Sequence, residues 1–117
     1  DYSFETCLAA ATSFIQCHVQ GNGYYKIGIT GSPMAGWERR DCGYKWDRHR
    51  FAFVAILYAS FHSKLSYPDS AGTVEKALVQ IFNRDIDDLC INRPSSGGEC
   101  PSRTQPVFVY VAHHGEA

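Results

Sequence analysis

Ser13-Phe14-Ile15-Gln16-Cys17-His18-Val19-Gln20-Gly21-Asn22-Gly23-Tyr24-Tyr25-Lys26-Ile27-Gly28-Ile29-Thr30 is the stretch whose reading decides the fold. Residues 13–19 alternate in character, as a half-buried strand does. Gly21-Asn22-Gly23 is a turn, because glycine and asparagine tolerate positive φ. Residues 24–30 form a second strand, so the stretch predicts an antiparallel hairpin. On the second strand Tyr25, Ile27 and Ile29 share one face and look like core. Tyr24, Lys26, Gly28 and Thr30 share the other, which is polar and carries a bare glycine that suits close approach of a ligand.

Outward from the hairpin, residues 3–11 predict a short helix capped by Ser3. After it, Ser32-Pro33 opens a helix that runs through Met34, Trp37 and Arg40 and stops near Gly43. Phe51 to Tyr58 is a nearly unbroken apolar run, expected to be a central strand covered on both faces. Thr73 caps the main helix, with Val74, Ala77, Leu78, Ile81, Phe82, Ile86 and Leu89 at helical spacing. Residues 92–106 read as a long loop and Val107 to Ala112 as a last strand. The expected order is α-β-β-α-β-α-β: one α+β domain with a small mixed or antiparallel sheet and helices packed on it.

The chain has 117 residues, 44% of them hydrophobic and 14% aromatic, enough for one domain with its own core. No apolar run approaches the roughly 20 residues of a membrane span. Five cysteines are present, about twice the usual density of a cytosolic domain, and the chain begins at Asp1. The cysteines favour an oxidising compartment and one or two disulfides, and a start at Asp1 fits removal of a signal peptide or longer precursor as well as a cut boundary; the expectation is a secreted, extracellular protein. Cys90 and Cys100 bracket a short Gly/Pro/Ser loop and are the first pair expected to bridge. The formal net charge is −1, which argues against a broad nonspecific grip on nucleic acid. Residues 39–50 nevertheless gather Arg39, Arg40, Lys45, Arg48, His49 and Arg50 against Asp41 and Asp47, a patch able to face phosphate or simply to be solvated.

Tyr24-Tyr25-Lys26-Ile27-Gly28-Ile29-Thr30 resembles the second motif of the GIY-YIG nucleases, closest to the branch that writes it Y-K-I-G-x-T. The elements that follow agree in order: a helix with Arg39 and Arg40, an apolar strand, a helix with Glu75 in Thr-Val-Glu-Lys-Ala-Leu, then Asn92 and Gly97-Gly98. The resemblance covers about residues 13–98 and rests on the ordered set, since no single motif is specific. It implies a tyrosine-rich strand pair, a phosphate-binding arginine, a metal-binding glutamate and an asparagine near the site. The sequence departs from it in the first strand, where a tyrosine is expected near Ile15 or Gln16, and at Lys26, where the family usually has tyrosine.

These residue types suit phosphodiester cleavage. Negative charge grows on the phosphoryl oxygens, and an arginine fork meets it through two hydrogen bonds. A hard ion such as Mg²⁺ or Mn²⁺ needs only one or two protein carboxylates. Glu75 lies about 100° round the helix from Val74, flanking the apolar stripe. The expected catalytic set is Tyr24, Tyr25, Lys26, Arg39, Arg40 and Glu75, with Glu75 as metal ligand; His18, Gly28, His49 and Asn92 would contact substrate. His113 and His114 read as solvent-exposed. Zinc spacing, a calcium loop over Asp85, Asp87 and Asp88, and nucleotide-binding glycine loops are absent. The expectation is a metal-dependent endonuclease acting on RNA or DNA, with a ribonuclease toxin or defence protein as a natural form. A non-catalytic binding module on the same scaffold and a disulfide-stabilised secreted effector are the alternatives.

Overall fold

A computed structural model of the chain describes residues 3–32, 51–96 and 106–115. Residues 13–19, expected as a strand, belong to a helix. This helix, α1, spans Phe4–His18. Ser3 caps it as expected, its Oγ accepting from the Thr6 amide at 3.2 Å. No glycine or proline interrupts the chain between Ser3 and Gln20. Ala11, Ile15 and Val19 are buried at steps of four, whereas Cys17 is exposed. A strand that buried Ile15 and Val19 would bury Cys17 as well, so the period is helical. Gly21 and Gly23, at φ of 84° and 101°, then reverse the chain.

The hairpin is therefore not formed. Strand β1 (Lys26–Thr30) pairs instead with the last strand, β3 (Val107–His113), antiparallel, with Gly28 opposite Tyr110. Strand β2 (Phe53–Ser60) pairs with the other side of β3, and a bulge between Ile56 and Tyr58 shifts the register. The sheet order is β1-β3-β2. The apolar run beginning at Phe51 is thus an edge strand, with Phe53 and Ile56 exposed. Val107-Phe108-Val109-Tyr110-Val111-Ala112 is equally apolar and takes the centre.

The second described helix, α2, spans Ala71–Ile81. Its cap is Ser70 rather than Thr73: Ser70 Oγ accepts from the Thr73 amide at 3.2 Å and donates to the Lys64 carbonyl at 2.6 Å. The helix stops short of Ile86 and Leu89 because Asn83 intervenes. Its Nδ2 bonds the Val79 carbonyl at 2.8 Å and its Oδ1 accepts from the Asp85 amide at 3.1 Å. Ile86 is 63% exposed, outside the apolar stripe it was expected to extend.

Both helices cover one sheet face. Ile15, Val19, Tyr25, Ile27, Val74, Leu78, Val79, Phe82, Val107, Val109 and Val111 share a core there. Phe51, Tyr110 and Ala112, with Val54 and Ile91, form a smaller cluster on the other face. The expected α+β class with a small antiparallel sheet holds. The helix expected from Ser32-Pro33 to Gly43 and most of the long loop before Pro106 lie outside the described residues.

The helical assignment of residues 13–18 has a direct check. Ile15→Ala should cost about 2–5 kcal/mol, whereas Cys17→Ser should change stability by less than about 0.5 kcal/mol. Urea unfolding of both variants measures the difference; a strand would make the two positions similarly sensitive.

Candidate functional site

The outer edge of β1 is closed by residues 89–92. The Tyr25 amide donates to the Leu89 carbonyl and the Ile91 amide to the Tyr25 carbonyl, each at 3.0 Å. One step on, the Asn92 side chain stands in for a strand. Its Oδ1 accepts from the Ile27 amide at 2.7 Å and its Nδ2 donates to the Ile27 carbonyl at 2.8 Å. Asn92 is buried, and both polar ends of its amide are used on the backbone. It holds the strand and does not face a substrate.

Tyr25 is likewise committed. It is fully buried, and its hydroxyl donates to Asp87 Oδ2 at 2.8 Å. Gln20 Nε2 donates to the same oxygen at 3.1 Å. Burial, reinforced by the bond to Asp87, pushes the Tyr25 phenol well above its ordinary range. Burial also opposes ionisation of Asp87, but the bonds from Tyr25, the Leu89 amide and Gln20 prevail and hold its carboxyl below the usual value. Tyr25 is thus a neutral structural donor, not an activated nucleophile.

Cys90, expected to bridge to Cys100, is a free thiol buried in the core. Its sulfur lies 3.5 Å from the Phe82 carbonyl oxygen and 3.6 Å from Asn92 Oδ1. Burial raises its pKa, which keeps it protonated and unreactive. Cys7 and Cys17 form no disulfide either, and Cys100 lies outside the described residues.

Lys26 and Gly28 are on the sheet face opposite the two helices, as their alternation with Tyr25 and Ile27 requires. The space over Gly28 is not open for a ligand, because a Cβ there would overlap the Tyr110 ring. A tyrosine that sequence reasoning missed therefore lies directly against the Y-K-I-G-x-T strand. The strand that carries it, β3, is not the one expected beside residues 24–30. The apolar run around Tyr110 was the available signal.

Glu75 is 5% exposed. The buried positions of α2 are Ala71, Gly72, Val74, Glu75, Leu78 and Val79. At about 100° per residue, Glu75 falls between Leu78 and Val79, inside the buried arc and not at its margin. The helix start is tied to the end of β2, where the Ala71 amide donates to Ser60 Oγ at 2.8 Å. Ser60 pairs with Val107, and Phe108 with Thr30. Glu75 thus sits in the helix layer, one turn in from the end of the sheet where β1 finishes. Tyr24 and Lys26 stand at the other end, about 13 Å or more away at about 3.3 Å per residue. Among the described residues no group of three or more His, Cys, Asp and Glu is placed to hold a metal. Arg39, Arg40 and His49 lie outside the described residues.

At the end where β1 begins, four rings meet. His18, the last residue of α1, lies 5.1 Å from Phe14, centroid to centroid. Phe14 meets His113 edge-on at 6.3 Å, and Phe53 stacks on His113 at 5.7 Å. His113 was expected to be exposed but is 7% accessible, because it lies in the central strand. Burial, with His114 and His18 nearby, holds its pKa below the ordinary value.

Comparison with known protein families, curated proteins and solved structures finds no match in any of the three.

Two measurements test this description. Asn92→Ala strands both polar groups of Ile27 inside the protein and should cost about 2–4 kcal/mol in urea unfolding. For His113 the unfolded ring takes up a proton near pH 6.5, and the folded ring only at lower pH. Between those values the unfolded chain binds more protons, so stability rises with pH. Unfolding free energy should therefore be full above about pH 6.5 and fall as pH drops through the lowered value. His113→Gln should flatten that fall.

Proposed function

We propose that the chain is a metal-dependent nuclease that cleaves phosphodiester bonds in RNA or DNA, in the manner of the GIY-YIG enzymes it resembles. The observation that carries this reading is the pairing of Lys26–Thr30 with Val107–His113, which sets Tyr110 opposite Gly28. The resemblance calls for a tyrosine-bearing strand beside the Y-K-I-G-x-T strand. Its absence near Ile15 or Gln16 is a departure from the family's pattern, and Tyr110 on β3 is the residue we assign to that place.

Glu75 adds support. A carboxylate in the middle of a buried helix face costs more to desolvate than the apolar residue that would fit there. One carboxylate, completed by water and phosphate oxygens, is enough for a hard divalent ion such as Mg²⁺ or Mn²⁺; Glu75, 5% exposed, would have to turn out from the helix face to take one up. Bound there, such an ion would polarise a phosphoryl oxygen.

The protein's own groups then divide the work. In this reading Tyr110, packed over Gly28, is assigned to the attacking water, and Lys26, about 13 Å or more from Glu75, meets a different phosphate of the strand. Arg39 or Arg40 meets the phosphate oxygens through its guanidinium. Tyr25 and Asn92 hold β1 in place beneath these groups.

Plasmid DNA and single-stranded RNA, incubated with the chain with and without Mg²⁺ or Mn²⁺, test the proposal. Cleavage should require the ion. Tyr110→Phe should slow it by about 100-fold or more, the usual weight of a group handling the proton. Glu75→Gln, nearly the same shape, should abolish it. Tyr25→Phe should lower stability and leave the rate of the folded fraction unchanged. No ion-dependent cleavage by the unaltered chain, or full activity of Glu75→Gln, would overturn the assignment.

A further inference from the structure

The cleft where α1 ends against the edge of the sheet is separate from Glu75 and from Tyr110. It has a volume of about 470 Å³, and its walls include Phe14, His18, Phe53, His113 and Gly115. That volume is in the range of about 300–1,000 Å³ typical of small-molecule sites. Three features define what it would accept. The walls are largely aromatic. Phe53 is 55% exposed although it stacks on His113, so one face of an aromatic ring remains open to a guest. The third feature is the polarity of His113. The Gly115 amide donates to its Nδ1 at 2.9 Å, so in the neutral ring the proton resides on Nε2. His113 is more than nine-tenths buried, and Nε2 makes no hydrogen bond among the described residues.

The backbone keeps this arrangement in place. Gly115 has φ of 87°, and a Cβ there would overlap the Phe53 ring, so its amide reaches His113 only because it is glycine. The cleft thus combines stacking surface with one fixed hydrogen-bond donor. A purely aliphatic guest leaves the donor unpaired, and a phosphate or sugar leaves the rings unused. A flat heteroaromatic ring with an acceptor nitrogen or oxygen on its edge satisfies both.

We infer that this cleft binds a nucleobase, stacked on the rings of Phe53 and Phe14 and accepting a hydrogen bond from His113 Nε2. Aromatic side chains that stack unpaired bases are the usual means of holding single-stranded nucleic acid, and every base offers both a π-face and edge acceptors. The choice of a nucleobase among flat rings rests on the nucleic-acid reading above. The demand for a flat ring with an acceptor does not. The cleft would hold a base of the strand at a distance from the cleaved linkage, and thereby select unpaired substrates.

The test is a titration of the whole chain, isotope-labelled, followed by NMR at the His113 and Phe14 rings. The probes are adenosine, ribose 5-phosphate and N-acetylphenylalaninamide. Adenosine should shift both rings saturably and ribose 5-phosphate should not. Phe53→Ala, at an exposed position that leaves the fold intact, should weaken adenosine at least fivefold. His113→Phe, which keeps the ring and removes the donor, should do the same. The proposal is overturned if adenosine produces no saturable shift, if N-acetylphenylalaninamide binds as tightly, or if both variants bind adenosine like the unaltered chain. Adenosine binding without ion-dependent cleavage would retain the cleft and remove the nuclease reading. Cleavage without adenosine binding would do the reverse.

Discussion

Strand β3 is the constraint on which everything else in the structure depends. It pairs along one side with β1 and along the other with β2, and neither of those pairs with the other. Its alternate residues also anchor both cores. Val107, Val109 and Val111 enter the large cluster beneath the helices, and Tyr110 and Ala112 form the cluster on the opposite face. Without β3 two isolated strands would remain, and isolated strands are not stable in water. Because β3 is the last element in sequence, Lys26 finds its partner only at Ala112. The sheet therefore assembles through nonlocal pairing, which makes loop closure the costly step in folding.

With β3 filling one side of β1, the other side needs a different solution. An exposed edge would present unpaired backbone groups to any passing strand. Residues 89–92 solve this locally. One parallel bridge at Cys90 is followed by the Asn92 side chain, which supplies a donor and an acceptor where the backbone has turned away. The Tyr25 hydroxyl, Asp87 and Gln20 tie the same edge to the end of α1. Several residues that look functional by type are in this way used up by architecture. Their hydrogen-bonding capacity is filled, and groups with filled capacity have nothing left to offer a substrate.

What was legible in the sequence was local. Ser3 caps a helix, and the faces of residues 24–30 divide as their alternation requires, with Tyr25 and Ile27 inside and Tyr24 outside. What was not legible was which segments meet. A period of two tells which side chains share a face and nothing about the strand alongside, so the pairing partner of β1 was assigned to its nearest neighbour in sequence. The same assumption converted residues 13–19 into a strand. Helical burial of Ile15 and Val19, with Cys17 outside, reads at a glance like alternation over so short a run. Asn92 and His113 show the second limit. Asn92 was expected beside a substrate and His113 in solvent, until a strand edge and a central strand claimed them.

Glu75 and Tyr110 raise a last question, because the sheet lies between their layers. The Tyr110 ring is on the face away from the helices, packed over Gly28, whereas Glu75 projects from α2 on the other side. A three-stranded sheet is narrow, however, and α2 starts where β1 and β2 end. A substrate that met both groups would therefore have to pass the end of the sheet where β1 finishes.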